Sequence, residues 1–257
     1  MELSSIRAAR QCVETDRLLG LDAVLLRARP APIVADASPT PPVATANPTV
    51  VNVRDGWTRE ERVASLEQLR ERHDRECPHC TTATAHTKTV FGEGNPEAPL
   101  MFIGEAPGET EDQLGRPFVG KAGQKLDEMI GAMGFEREQV YIANVLKSRP
   151  PGNRTPLQHE VEACGPYLLE QIGIVNPKVI VSLGGPATKF LLGTEVGITR
   201  LRGVWGELHL GTRTIPVMPT FHPAYLLRNY TVQTRREMWS DLQSAAARVG
   251  APPNAKR

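Results

Sequence analysis

Several short segments of this 257-residue chain carry side chains whose type and spacing suit chemistry. Cys77-Pro78-His79-Cys80 is a C-x-x-C metal half-site, and Cys164 adds a third thiolate. That is one short of the four donors that zinc or an iron–sulfur cluster takes, and His79 and His86 are nearby histidines able to complete a zinc site. Ordinary reduced cysteines are the poorer explanation of a C-x-x-C. Asn144-Val145-Leu146-Lys147-Ser148-Arg149 runs on into the turn Pro150-Pro151-Gly152-Asn153-Arg154. An asparagine offers both a donor and an acceptor, the complement of a pyrimidine amide edge. Lys147, Arg149 and Arg154 supply local positive charge suited to phosphates, although a solvated basic loop would have the same composition.

In Phe221-His222-Pro223-Ala224-Tyr225-Leu226-Leu227-Arg228-Asn229 the histidine is followed by apolar residues in what reads as an exposed loop. Leu226 and Leu227 beside Arg228 have the make-up of an apolar wedge with a phosphate anchor, as in proteins that push a base out of the stack. A histidine alone would be read as structural. Gly104-Glu105-Ala106-Pro107-Gly108-Glu109-Thr110-Glu111-Asp112 is a tight turn rich in acids. Glu105 emerges where a carboxylate could orient water, yet four carboxylates this close argue against DNA on composition alone.

Gly115-Arg116-Pro117-Phe118-Val119-Gly120-Lys121-Ala122 nearly matches a phosphate-cradling G-x-x-x-x-G-K-[ST] loop. Ala122 lacks the hydroxyl that would hold magnesium, and no buried strand precedes the loop, so a nucleotide triphosphatase is excluded. Phe118, an aromatic in a polar loop, offers either a face for stacking a base or a side chain folded back onto the core.

These segments must be positioned by regular elements. Short apolar runs (PLMFIGEAP, QVYIANVL, KVIVSLGG, TIPVMPTFHP) alternate with helical patterns (AGQKLDEMIGAMG, EVEACGPYLLEQIGIV, GPATKFLLG, RREMWSDLQSAAARV). The strands are apolar on both faces, which predicts an α/β fold with a short, mainly parallel central sheet flanked by helices in three layers. In such sheets the ligand crevice lies beyond the carboxyl ends of the strands. That brings together the loops 104–108, 144–154, 184–186 and 222–228. A further helix over TREERVASLEQLRERHDRE, capped by Asp55 or Thr58 and with Val63, Leu66 and Leu69 on one face, leads into Cys77.

Residues 1–29 suggest a short accessory helix, residues 30–54 a proline- and alanine-rich linker, 55–250 the globular domain, and 251–257 a disordered tail. A net charge of +1 argues neither for nor against a nucleic-acid partner, so any electrostatic case must be local. No apolar run is long enough to span a bilayer, and charges occupy the place of a signal peptide's apolar stretch. With four scattered cysteines, a cytoplasmic protein is expected.

Together these segments resemble the family 4 uracil-DNA glycosylases of bacteria and archaea. The resemblance runs from roughly Trp57 to Val249 through VFGEGNPEAPLMFIGEAPGETED, GRPFVGKAGQKLD, YIANVLKSRPPGNRTP, EVEACGPYL and PTFHPAYLLRN, in that order. It implies a DNA repair enzyme that flips uracil out of DNA and hydrolyses its N-glycosidic bond. By resemblance Phe118 stacks on uracil, Asn144 reads its amide edge, and His222 donates toward O2. Ala106, Pro107 and Gly108 line the water side, and Glu105 is assigned to the water.

The resemblance also implies a [4Fe-4S] cluster held by Cys77, Cys80, Cys164 and a cysteine in N-V-x-K-C-R-P-P-x-N-R. This chain has Ser148 there, a poor iron ligand because a hydroxyl is far less acidic than a thiol. A retained but labile cluster of structural role is expected. The implied partner is uracil-containing DNA, bound by a monomer through Lys147, Arg149, Arg154, Leu226, Leu227 and Arg228. The N-terminal extension is a place where a protein partner could dock. The alternative is a non-catalytic DNA- or uracil-binding protein on the same fold, which the joint presence of Phe118, Asn144 and His222 disfavours. A zinc-stabilised hydrolase of nucleotides is disfavoured too, because it has no use for the wedge.

Overall fold

The computed structural model describes residues 56–83 and 85–250. The expected N-terminal helix, the linker, the tail and the capping role of Asp55 lie outside them.

The chain enters through α1 (Arg59–Glu76), whose first turn is closed by a reciprocal Thr58–Glu61 capping box. Strands β1 (Glu93–Gly94) and β2 (Leu100–Gly104) follow, then α2 (Glu109–Leu114) and α3 (Lys121–Ala132). Next come β3 (Tyr141–Asn144), α4 (Gln158–Val175), β4 (Val179–Leu183), α5 (Gly185–Leu192) and α6 (Ile198–Leu201). The hairpin β5 (Gly206–Leu210) and β6 (Arg213–Thr220) precedes α7 (Pro223–Arg228) and α8 (Val232–Val249).

The six strands lie in the order β1-β3-β2-β4-β6-β5. The central four run parallel, while β1 and β5 pair antiparallel at the edges. Every residue of β2 and β4 is buried, as the unbroken apolar runs LMFIG and VIVSL require of strands covered on both faces. Alternation along the strands sends Met101, Ile103, Ala143, Ile180 and Val217 toward Leu168 and Ile172 of α4 and Leu191 of α5. Phe102, Ile142, Val181 and Met218 face the opposite way, against Leu126 and Ile130 of α3 and Met238 and Leu242 of α8. The fold is thus the expected α/β arrangement, a mainly parallel sheet between helices.

Three segments differ from the sequence reading. The acidic stretch after Gly108 is helical, because its carboxylates fall in the first turn of α2, where they complement the positive end of the helix. The segment after His222 is also a helix rather than a loop, with Pro223 at its first position. Of the three apolar residues placed on one face of α1, Leu69 is buried and Leu66 partly so, but Val63 is exposed. α1 docks through a small cluster of Leu69, Phe91 and Ile174 with Trp57, Leu66 and Tyr167 against it. Arg62 adds hydrogen bonds to the last carbonyls of α4, at Ile174 and Val175.

Candidate active site and metal centre

Parallel register sets the first two walls of the site. Gly104 and Asn144 are paired neighbours at the carboxyl ends of β2 and β3. A methyl on Gly104 would overlap both the Asn144 amide and the Phe118 ring, so the absence of a side chain there lets the two approach. Phe118 holds a left-handed backbone (φ 50°), rare outside glycine, and neighbouring contacts fix it. The N–H groups of Val119 and Gly120 donate to Glu111 Oε1 at 2.9 and 2.7 Å. Gly123 of α3 sits so close beneath that any side chain on it would collide with the Phe118 carbonyl. Phe118 joins the core and lines the pocket at once, so both sequence readings of it hold in part.

His222 caps α7: its Nδ1 accepts the Ala224 N–H at 3.1 Å, which leaves Nε2 to carry the ring proton. Burial, aided by the Arg228 cation and opposed by Glu111, depresses its pKa to about 4, so the ring is neutral at pH 7. Phe118, Asn144 and His222 all border one cavity of about 380 Å³. Asn144 is buried, and its Oδ1 has no hydrogen-bond partner within the protein. Glu105, Ala106, Pro107 and Gly108 form another wall, and burial lifts the Glu105 carboxyl above its ordinary pKa. Arg154 and Arg228 reach the rim.

Two of the four acids that argued against DNA are engaged elsewhere. Asp112 is buried and accepts the N–H groups of Thr87 and Lys88 at 2.7 and 3.1 Å, and Glu111 holds the Phe118 turn. The basic residues need correction. Lys147 is fully buried, not on the surface: its ammonium donates to the Asn144 carbonyl at 2.9 Å and to Gln171 Oε1. Burial lowers its pKa to about 7. It positions the Asn144 strand end from below. Arg154 forks onto Glu160 at 2.7 Å through both Nη atoms, and Arg149 donates to Asn153 at 2.7 Å. Leu226 is packed in the core, so only Leu227 of the expected wedge is exposed, beside an exposed Arg228.

On the opposite face of the sheet, Cys77, Cys80 and Cys164 converge, fully buried or nearly so. Sγ separations are 3.5 Å for Cys77–Cys164 and 3.3 Å for Cys80–Cys164. Hydrogen bonds from the Cys164 and Cys80 thiols pull Cys77 well below the usual thiol range. The fourth donor of the group is His73: its ligand atom and the three sulfurs lie within 4.8 Å of one another. Neither His79 nor His86 takes part; His79 sits 3.8 Å from the Glu160 carboxylate instead. Sequence reading passed over His73, although it lies in the last turn of α1, four residues before the capping residue Cys77, whose N–H donates to the His73 carbonyl. Three soft thiolates and an imidazole form a donor set for zinc or an iron–sulfur group, so the residues fit a metal centre.

The sequence of residues 91–243, which builds this sheet and pocket, matches the uracil DNA glycosylase superfamily, and the chain belongs to that superfamily. Within it the chain is similar to type-4 enzymes. The type-4 uracil-DNA glycosylase of Thermotoga maritima is 46% identical over 74% of this chain and 95% of its own length. That of Sulfurisphaera tokodaii is 47% identical over 64% of this chain and 77% of its own. That of Archaeoglobus fulgidus is 42% identical over 68% and 88% respectively. Among the described residues, no helix is long and apolar enough to cross a membrane.

Proposed function

We propose that this chain is a DNA repair uracil-DNA glycosylase, which everts deoxyuridine from DNA and hydrolyses the bond between uracil N1 and the sugar. The observation that carries this reading is the convergence of Phe118, Asn144 and His222 on one cavity. A flipped base needs a flat apolar face, a partner for its hydrogen-bonding edge and a donor where charge develops.

Uracil presents N3–H flanked by carbonyl oxygens. The Asn144 amide complements that edge, with Oδ1 accepting from N3–H and Nδ2 donating to O4. The unpartnered Oδ1 favours this assignment, since a buried acceptor gains most from a ligand that satisfies it. Cytosine, which has an acceptor at N3 and an amine at C4, would oppose like with like. As the bond breaks, negative charge gathers on the pyrimidine and positive charge on the deoxyribose. The Nε2–H of neutral His222 donates to O2, and a preorganised donor of this kind lowers the barrier by ~3 kcal/mol. Glu105 orients the attacking water; the carboxylate made more basic by burial is the better proton acceptor.

Arg149, Arg154 and Arg228 bind backbone phosphates, with Leu227 filling the gap left by the everted base. By family resemblance the thiolates of Cys77, Cys80 and Cys164 hold a [4Fe-4S] cluster of structural role. Held by these residues, it would tie the C-terminal end of α1 to α4.

The test is alkaline cleavage of a uracil-containing oligonucleotide after incubation with the protein. Cleavage at uracil, and none at a cytosine control, is expected. Intact strand at enzyme excess would identify a binder instead of an enzyme.

A further inference from the structure

We propose that His73 supplies the fourth ligand of the metal centre through Nε2, in place of the cysteine expected at Ser148. The inference rests on the reading that the chain binds a metal group at all. Three observations carry it.

First, the imidazole is fully buried, and its Nε2 has no hydrogen-bond partner within the protein, although its ligand atom shares a space of 4.8 Å with three sulfurs. A buried polar atom left unpaired amid soft donors is a ligand's signature. Second, the other ring nitrogen is committed. Nδ1 lies 2.9 Å from Asp74 Oδ1, which also accepts the Thr89 hydroxyl at 2.9 Å. A carboxylate on one nitrogen fixes the proton there and turns the lone pair of the other toward the metal. The ring cannot swing away easily, because Tyr167 packs edge-on against it with centroids 5.0 Å apart. Third, Ser148 is occupied otherwise. Its Oγ accepts the Cys80 thiol at 3.3 Å, and an aliphatic hydroxyl must lose a far less acidic proton than a thiol to become an anionic ligand.

The resulting set is three thiolates and one imidazole. It explains how a helix as sparsely packed as α1 is held: its C-terminal turn delivers His73, and the residues just after it deliver Cys77 and Cys80.

The experiment uses the full chain purified without oxygen, with iron, sulfide and zinc measured per chain before and after challenge with a chelator. Wild type and Ser148→Ala should retain the metal equally. His73→Ala should lose it at least tenfold more readily, as removal of a ligand requires. His73→Ala combined with Ser148→Cys should recover retention, which a merely structural histidine would not allow. X-ray absorption at the metal edge of the wild type needs no variant and should show one nitrogen beside sulfur. An all-sulfur or sulfur–oxygen shell, metal loss in Ser148→Ala, undiminished retention in His73→Ala, or a wild type without metal would each overturn the proposal. Zinc without sulfide would keep His73 as ligand and replace the cluster by a single ion. Uracil excision by the same preparations separates the two readings: metal held through His73 with no excision sinks the glycosylase and spares the ligand.

Discussion

The rings of Phe118 and His222 face each other with centroids 5.5 Å apart and planes inclined by 29°. Stacked carbon atoms need roughly 3.5–4 Å per layer, so a ring inserted between two others needs about 7 Å. No base fits between them as they stand. A uracil stacked on Phe118 therefore meets His222 by its edge, which is the approach that a hydrogen bond from Nε2 requires.

Asn144→Ala and His222→Ala should each reduce excision by about a hundredfold to a thousandfold, the range for loss of one preorganised donor. DNA affinity should change little, because neither side chain reaches a phosphate in this reading. Single-turnover rates beside equilibrium binding would decide it. Wild-type rates in both variants would remove the pocket from the chemistry.

Gly104→Ala should be as damaging although no side chain is lost. The new methyl meets the Asn144 amide and the Phe118 ring, and neither can retreat from a fully buried strand end. Excision should fall at least a hundredfold while the overall fold, read by circular dichroism, persists. A variant with normal excision would show that Phe118 and Asn144 need not lie this close.

The central sheet was legible because VIVSL and LMFIG can be little else than strands covered on both faces. Phe118, Asn144 and His222 were legible because a sheet of that kind gathers its loops at one edge. What the sequence hid was direction. Lys147 lies three residues beyond Asn144 in a basic loop, and nothing in that spacing tells that its ammonium turns inward to Gln171. Leu226 and Leu227 look alike in a row, yet the rotation of about 100° between neighbours on a helix sends the first into the core and the second to solvent. His73 was not legible because it precedes the C-x-x-C inside a helical pattern, and only the winding of the last turn of α1 brings it to the thiols. The acids of α2 misled for the same reason: composition counted Asp112 as surface charge, whereas it is buried among backbone donors.

The inward turn of Lys147 separates it from Arg228. Replacing exposed Arg228 with alanine should weaken DNA binding and flatten the dependence of affinity on salt by about one phosphate contact. Lys147→Met should leave that slope unchanged. It should instead lower thermal stability and slow excision, because the Asn144 carbonyl and Gln171 lose their shared donor. Binding measured at a series of salt concentrations distinguishes them. A reduced slope in Lys147→Met would return that lysine to the DNA surface.

His222 also makes stability depend on pH. In the unfolded chain its imidazole titrates near the ordinary value of about 6.5, whereas in the fold burial and Arg228 hold it down to about 4. Between these values the unfolded state binds a proton that the folded state refuses, so stability falls as pH falls through that window. Nothing is lost at this residue above the upper value, and the loss is complete below the lower one. The full effect is on the order of 3 kcal/mol. His222→Gln has no such proton to refuse, so its urea denaturation midpoint should decline less steeply than that of the wild type from pH 7 to pH 4.5. Parallel declines in the two proteins would mean that His222 takes its proton as readily folded as unfolded. The ring would then titrate near its ordinary value, and the donor to O2 near neutral pH would be a mixture of neutral and charged imidazole rather than the neutral ring alone.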